Sequence, residues 1–257
     1  MELALAGRIA LVTGGSRGIG RAVAAALAAE GCRLHLASRN GTDLDRARAE
    51  LLAAGATEVT IHAADLAQPE AAAGLARACG PLDILVNNAG AIPQGTLAAL
   101  DEKAWREGWE LKLFGFVNLT REVYGDMCAR GRGVIVNVIG TAGERPTAGY
   151  LAGSMANAAL MTMTRALGAE SPDHGVRVVG VNPGATATDR QVVRWKARAQ
   201  SELGDADRWP ELTRGFPFGR LASAQEVADV VAFLASDRAG YVTGTVVTVD
   251  GGASARK

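Results

Sequence analysis

Short apolar runs alternate along this chain with longer stretches whose apolar residues follow the helical period. Continuous apolar runs bounded by glycine, proline or polar residues are typical of buried strands. Such runs predict strands at residues 9–12, 33–38, 58–62, 82–86, 133–138, 176–181 and 245–249. The stretches between them predict one helix from residue 18 and others at 44–54, 69–79, 101–130 (with a break near Gly108), 150–170 and 224–235. Residues 183–218 follow neither period and are predicted to be irregular.

The alternation of strands and helices predicts an α/β fold. Right-handed crossovers make consecutive strands parallel and cover both faces of the sheet with helices. No linker, internal repeat or low-complexity tract divides the 257 residues. We therefore expect a single domain, residues 1–257, built on a doubly wound parallel sheet.

Composition and charge narrow the classes of function. The net charge is zero and no basic block occurs, which argues against nucleic acid and anionic membrane partners. No apolar run is long enough for a membrane span, and the first residues do not resemble a signal peptide. Three widely spaced cysteines indicate reduced thiols, and three histidines without ligand spacing predict no metal site. The expected location is cytoplasmic.

The sequence RIALVTGGSRGIG, at residues 8–20, carries the clearest chemistry. A buried strand leads into a glycine turn and then an alanine-rich helix, an arrangement that cradles a dinucleotide. The glycines let backbone approach a pyrophosphate, and the free N–H groups at the start of the helix favour its negative charge. The spacing is G-x-x-x-G-x-G, so the predicted contacts are Gly14, Ser16, Arg17, Gly18, Ile19 and Gly20.

Three further motifs follow in order: NNAG at residues 87–90, NPG at 182–184 and VDGG at 249–252. With the glycine turn, they make the whole chain resemble a short-chain dehydrogenase/reductase. The resemblance implies a Rossmann-type sheet, a nicotinamide cofactor and a homotetramer. It also implies cofactor contacts along the carboxyl ends of the strands, from the adenine to the nicotinamide, at Asp65, Leu66, Asn87, Ala89, Gly90, Pro183, Gly184, Thr186 and Thr188.

The end of the second strand favours NADP over NAD. A carboxylate there would accept from a ribose 2′-hydroxyl and repel a 2′-phosphate. The strand instead ends in Ser38 and Arg39, and Arg39 can pair with a phosphate while Arg17 adds a second cation. The alternative is that Arg39 only begins a solvated helix. We expect NADP, with NAD as the second choice.

The resemblance fails at the positions where the family keeps its catalytic residues. Ile139 and Gly140 fall at the serine position, Gly153 at the tyrosine position, Asn157 at the lysine position and Lys112 at the asparagine position. Lys112 lies within an apolar helical stripe, so it either extends its ammonium to solvent or places it in the cofactor cleft. In the cleft, the ammonium is predicted to act with Tyr150 and to lower the pKa of its phenol.

Tyr150 lies one helical turn before position 153, on nearly the same face. It either packs on the loop above the cleft or reaches a substrate oxygen. Ser154 and Asn157 are weaker candidates, Ser154 for hydrogen bonding near the reaction and Asn157 for the nicotinamide ribose. The candidate catalytic residues are therefore Tyr150, Lys112 and Ser154.

The favoured function is an NADP(H)-dependent oxidoreductase that interconverts a secondary alcohol and a ketone at a rearranged site. A non-catalytic NAD(P)-binding sensor or scaffold and a redox-neutral lyase or isomerase remain alternatives. The substrate is a small molecule of unidentified structure, with residues 185–218 as its predicted binding segment. The apolar strand and helix at the carboxyl end predict an edge that a second subunit covers, giving a homo-oligomer.

Overall fold

The computed structural model describes residues 2–256, which are built around one seven-stranded parallel sheet. Its strands are β1 (Ile9–Thr13), β2 (Arg33–Ser38), β3 (Val59–Ala63), β4 (Ile84–Asn87), β5 (Gly133–Val138), β6 (Val176–Pro183) and, after two short strands, β9 (Val246–Val249). The order across the sheet is β3-β2-β1-β4-β5-β6-β9. The short strands β7 (Thr186–Ala187) and β8 (Ala222–Ser223) pair with each other outside this sheet.

Helices cover both faces of the sheet, as the alternating pattern predicts. They are α1 (Gly18–Ala29), α2 (Gly41–Ala53), α3 (Ala71–Cys79), α4 (Glu102–Trp109), α5 (Gly115–Arg130), α6 (Leu151–Glu170), α7 (Asp189–Leu203), α8 (Trp209–Leu212) and α9 (Ala224–Ala235). Apolar residues of α1, α2 and α9 form one core with the sheet, and those of α3 and α5 contribute to a second. Because both faces are buried, the central strands are almost continuously apolar.

The strand order reverses direction between β1 and β4. In a doubly wound sheet the loops on the two sides of such a point diverge and leave a crevice at the carboxyl ends of the strands. The glycine turn follows β1 and the NNAG sequence follows β4, so the two motifs adjoin at this crevice. This is the sheet edge where the sequence motifs predict cofactor binding.

Two predicted elements differ in the structure. The helix predicted at 101–130 is interrupted by a π-helical turn at Glu110–Phe114 rather than at Gly108. The segment 183–218, predicted to be irregular, contains the 15-residue helix α7. Val192, Trp195, Ala199 and Leu203 follow the helical period in α7, but only Ala199 is buried, so the apolar stripe is half-exposed and set among charged residues. Pairs such as Arg198–Glu202, 2.7 Å apart, also support the helix.

The three thiols, Cys32, Cys79 and Cys128, are all free. Within residues 2–256, no helix combines the length and apolar character that a membrane crossing requires.

Candidate active site

The glycine turn between β1 and α1 is closely packed against the loop that follows β4. A Cβ on Gly20 would lie 2.3 Å from the Gly14 carbonyl oxygen and 2.4 Å from the Asn88 side-chain nitrogen, so only glycine fits. Gly14 and Gly18 have positive φ angles of 65° and 53°. The N-cap residue of α1, Arg17, makes no side-chain capping hydrogen bond, so the first N–H groups of the helix are left for another acceptor. Ile19, in its first turn, packs against the core.

Residues of the NNAG sequence form two sets of hydrogen bonds that hold the sheet together. The backbone N–H groups of Asn88 and Ala89 donate to the Thr13 hydroxyl at 2.9 and 3.0 Å, which ties the ends of β1 and β4 together. The side chain of Asn87, predicted to line the cofactor, lies in the interior instead. Its amide nitrogen donates to Asn137 at 3.0 Å and to Thr120 at 3.1 Å. Its side-chain oxygen is also buried but has no partner within residues 2–256, so the hydrogen bonds that hold Asn87 in the sheet use its amide nitrogen alone.

The carboxyl end of β2 has a charge arrangement that the sequence only partly revealed. Asp43, in the first turn of α2, is 4% exposed and forms ion pairs with both Arg17 and Arg46. Arg17 therefore has a partner within the chain, whereas Arg39 is exposed and forms no ion pair with any residue in 2–256. The Ser38 hydroxyl donates to the Asn40 carbonyl at 3.4 Å. The nearest available cation at this end is Arg39.

The predicted adenine and nicotinamide contacts lie at the same sheet edge. Asp65 accepts a hydrogen bond from the Ala67 N–H at 3.1 Å and so shapes its own turn, while Leu66 beside it is buried. After β6, the Thr186 hydroxyl donates to the Gly184 carbonyl at 3.0 Å. Thr188 approaches the glycine turn closely, because a Cβ on Gly18 would lie 3.2 Å from its methyl group. The loops after β1 and β6 therefore adjoin.

Lys112 is buried, which excludes the alternative in which its ammonium reaches solvent. It lies in the π-helical turn, is 8% exposed, and donates from Nζ to the Val138 carbonyl at 2.9 Å. Its stem runs beneath the exposed Gly90, where a Cβ would lie 2.4 Å from the lysine Cδ. Nζ also lies 4.6 Å from the centre of the Phe116 ring. Burial lowers the pKa of Lys112 to about 7.

Asn157 approaches the same strand end from α6. Its side-chain nitrogen donates to the Gly140 carbonyl at 3.2 Å, two residues beyond the carbonyl that Lys112 binds. Its side-chain oxygen is buried and has no partner within residues 2–256. A buried acceptor without a donor is costly in a folded protein, and a hydroxyl from a bound molecule would satisfy it.

Tyr150 precedes the first residue of α6 and folds its ring over Gly153. A Cβ on Gly153 would lie 2.1 Å from Cζ and 2.6 Å from the hydroxyl of Tyr150. The phenol therefore takes up the space in which a side chain at position 153 would begin. Burial raises the pKa of Tyr150, while the positive charges of Arg190 and Arg194 on α7 act in the opposite direction.

The predicted pairing of Lys112 with Tyr150 is wrong in its electrostatics. The pKa of the phenol is raised rather than lowered, and the cations that act on it belong to α7. The Lys112 ammonium donates to a backbone carbonyl of β5 instead. Sequence analysis missed Arg190 and Arg194 because it missed α7. Two signals were present: Thr188–Asp189, a threonine followed by an acidic residue as at many helix starts, and apolar residues at helical spacing from Val192 to Leu203.

Ser154 and the segment 185–218 lie near this site without entering its centre. Ser154 is 3% exposed, and its hydroxyl accepts from the Thr147 N–H at 3.5 Å, so it holds the loop before α6. The segment contributes Ala185 and Phe216–Phe218 to a cavity of about 430 Å³ beside Gly184 and Asp250. Neither Tyr150 nor Lys112 lines this cavity.

Comparison with known proteins agrees with this architecture. A family model described as enoyl-(acyl carrier protein) reductase matches residues 14–254. Galactitol 2-dehydrogenase (L-tagatose-forming) of Cereibacter sphaeroides is 38% identical over 253 residues, covering 96% of this chain and 95% of the relative. L-xylulose reductase of Bos taurus is 34% identical over 253 residues, covering 98% of each chain.

Among solved structures, L-sorbose reductase from Gluconobacter frateurii, complexed with NADPH and L-sorbose, superposes with a TM-score of 0.94. It is 31% identical, and the alignment covers 100% of both chains. The parallel sheet, the glycine turn and these full-length matches agree. The chain therefore belongs to the short-chain dehydrogenase/reductase family of NAD(P)-dependent oxidoreductases.

Proposed function

We propose that the chain is an NADP(H)-dependent oxidoreductase that interconverts a small secondary alcohol and its ketone, with Tyr150 and Lys112 as its catalytic residues. The proposal rests on one observation above all. Lys112 and Asn157 reach the end of β5 from different helices and bind carbonyls only two residues apart.

The residue types at these two positions are exchanged relative to the family pattern. Where the family keeps an asparagine, this chain has Lys112, and where it keeps a lysine, this chain has Asn157. A single loss would fit an abandoned site. The reciprocal change keeps one lysine and one asparagine at the same strand end, which supports a site that is rearranged rather than lost.

The residues present fit a nicotinamide dinucleotide. The uncapped amino end of α1 suits the pyrophosphate, because its N–H groups favour negative charge. The unpartnered side-chain oxygen of Asn157 suits a ribose hydroxyl. Arg39 suits a 2′-phosphate, because it is exposed and not neutralised by a carboxylate in residues 2–256. The remaining proposed contacts are Gly14, Ser16, Arg17, Gly18, Ile19, Gly20, Ser38, Asp65, Leu66, Ala89, Gly90, Pro183, Gly184, Thr186 and Thr188.

The bound cofactor supplies or accepts the hydride, and the protein manages the proton. In ketone reduction, Tyr150 donates its phenolic proton to the substrate oxygen, and solvent later restores that proton. The raised pKa of Tyr150 keeps the phenol protonated at neutral pH. Arg190 and Arg194 favour the phenolate that remains. Lys112, whose ammonium lies at the end of β5, stabilises negative charge that develops beside that strand end, in a buried environment where a single cation acts strongly.

Substrate and assembly are proposed from the relatives and from the sheet edge. Two relatives and one solved structure are named for polyols or ketoses, so hydroxylated ketones are the first substrates to test.

Ser154 is proposed as a further hydrogen-bonding residue near the reaction. Within residues 2–256 the edge strand β9 pairs only with β6, and we propose that a second subunit covers it in a homo-oligomer, a tetramer by family resemblance.

The direct test is cofactor turnover on a panel of ketoses and small ketones. We expect NADPH absorbance to fall with at least one member of the panel and an alcohol to form in equal amount. Cofactor binding without turnover on any member would favour the non-catalytic alternative. Product formation without net change in the cofactor would favour a lyase or isomerase.

Cofactor choice depends on Arg39, and Arg39→Asp tests it. The substitution removes a charge-assisted pair with the 2′-phosphate and adds a like charge, which costs about 2–4 kcal/mol of NADPH binding. We expect calorimetry to show this loss for NADPH and little change for NADH. The matched control is Arg48→Asp, an exposed arginine farther along α2. A wild-type preference for NADH would overturn the assignment.

A further inference from the structure

A cluster of metal-binding side chains lies on the sheet away from the catalytic residues. His35 of β2, His62 of β3 and Cys79 at the end of α3 place one donor atom each within 4.8 Å of the other two. The sequence predicted no metal site because these residues are far apart along the chain. The fold brings the three side chains together although they show no ligand spacing along the chain.

The sheet register explains how the two histidines meet. His35 pairs with Thr60 on the neighbouring strand, so His62 lies two residues farther along β3. Residues two apart on a strand project from the same face, and both imidazoles therefore point to the side that α3 covers. Nδ1 of His35 lies 2.9 Å from Nε2 of His62, and the planes of the two imidazole rings are inclined by 22°.

The two nitrogen donors and one sulfur donor suit a metal ion of borderline softness, such as Zn²⁺. The Cys79 sulfur lies 3.7 Å from Nε2 of His62. A Zn²⁺ ion bonded to nitrogen at about 2.0–2.1 Å and to sulfur at about 2.3 Å holds its ligands about 3–4 Å apart, so both separations fit with minor adjustment. Imidazole and thiolate ligands also favour zinc over magnesium or calcium.

We propose that His35, His62 and Cys79 bind one Zn²⁺ ion, with solvent as the fourth ligand. Binding replaces the proton of the Cys79 thiol with a zinc–sulfur bond and releases that proton to the buffer. The two imidazoles are half-buried, so the ion can enter from the surface, whereas Cys79 is buried. The bound ion joins β2, β3 and α3.

The proposed zinc ligands lie close in sequence to residues proposed to contact the adenosine end of the cofactor. His35 is three residues before Ser38, and His62 is three residues before Asp65. A metal that fixes β2 and β3 relative to each other would therefore stabilise the strands that carry these two proposed cofactor contacts. Its occupancy does not depend on whether the catalytic proposal holds, because none of its ligands is a catalytic candidate.

The test is titration of the untagged, reduced, metal-free full-length chain with Zn²⁺ against a chromogenic chelator. We expect one ion per chain, a raised melting temperature and release of one proton. Cys79→Ala and His62→Ala should each weaken binding by at least about 10-fold to 100-fold. The matched controls are Cys128→Ala and His174→Ala, which remove the same residue types elsewhere.

Cobalt substitution gives a second readout that a structural effect would not imitate. With Co²⁺, the wild type and Cys128→Ala should show thiolate-to-metal charge-transfer absorption, and Cys79→Ala should not. If a site variant fails to fold, judged by circular dichroism of the metal-free chain, His35→Gln replaces it. The proposal is overturned if wild type binds no stoichiometric zinc, or if the controls weaken binding as much as the site variants.

Discussion

Lys112→Met should reduce turnover by about 100-fold or more while the chain still folds and binds NADPH. Methionine retains much of the stem that packs beneath Gly90 but removes the ammonium. The loss should appear in kcat rather than KM, because the charge is proposed to act on the reacting oxygen rather than on binding. The measurement is steady-state kinetics of NADPH oxidation. Full turnover in this variant would remove Lys112 from the mechanism.

Two further variants separate charge from packing. Lys103→Met, on the exposed side of α4, is the matched control and should leave kcat unchanged. The double variant Lys112→Asn/Asn157→Lys moves the ammonium to α6 without altering the pair of residue types. If a cation at the end of β5 is what matters, the double variant should recover part of the turnover that Lys112→Asn alone loses.

Burial of Lys112 makes the free energy of unfolding depend on pH, and the direction of that dependence follows from its lowered pKa. Its pKa is lowered to about 7 in the folded chain, against about 10.4 when unfolded. Between these values the unfolded chain binds more protons, so the free energy of unfolding rises with pH, by at most about 1.4 kcal/mol per unit. Lys112→Met should lack this rise and be relatively more stable at pH 6. Thermal melts at pH 6 and pH 9 measure the difference.

Much of the fold follows from local patterns. Each predicted central strand is present because a strand covered on both faces must be apolar, and that requirement is visible in the sequence. The π-helical turn was missed because it leaves no apolar period of its own, and α7 was missed because its apolar period is weak among many charged residues. A π turn shifts the helical register by a backbone rearrangement, and α7 buries only Ala199.

The candidate site was less predictable, because its contacts join distant residues. The family pattern identified Lys112 as an anomaly, but only the fold shows that it and Asn157 approach carbonyls two residues apart. Asn87 shows the converse case. Its contact with the cofactor is predicted from a motif, and the motif gives no sign that its amide nitrogen also joins a buried chain that continues from Asn137 to Thr164 at 2.9 Å.

Tyr150→Phe should also reduce turnover by about 100-fold or more, because it removes only the proton that the phenol is proposed to donate. The ring that packs over Gly153 is retained, so stability and cofactor affinity should stay unchanged. Tyr241→Phe, whose ring is fully exposed, is the matched control. The measurement is kcat for ketone reduction with NADPH. Unchanged turnover in the variant would show that another group supplies the proton.

Gly153→Ala tests the position of the phenol without altering its chemistry. The new Cβ would lie 2.1 Å from Cζ of Tyr150, so the ring must move, and a ring at the start of a helix can do so at modest cost. We expect kcat to fall while the chain remains folded. Combining this substitution with Tyr150→Phe should then add little further loss, because both variants act on the same proton transfer. Additive losses from the two substitutions would contradict a shared role and would leave Gly153 as a packing residue only.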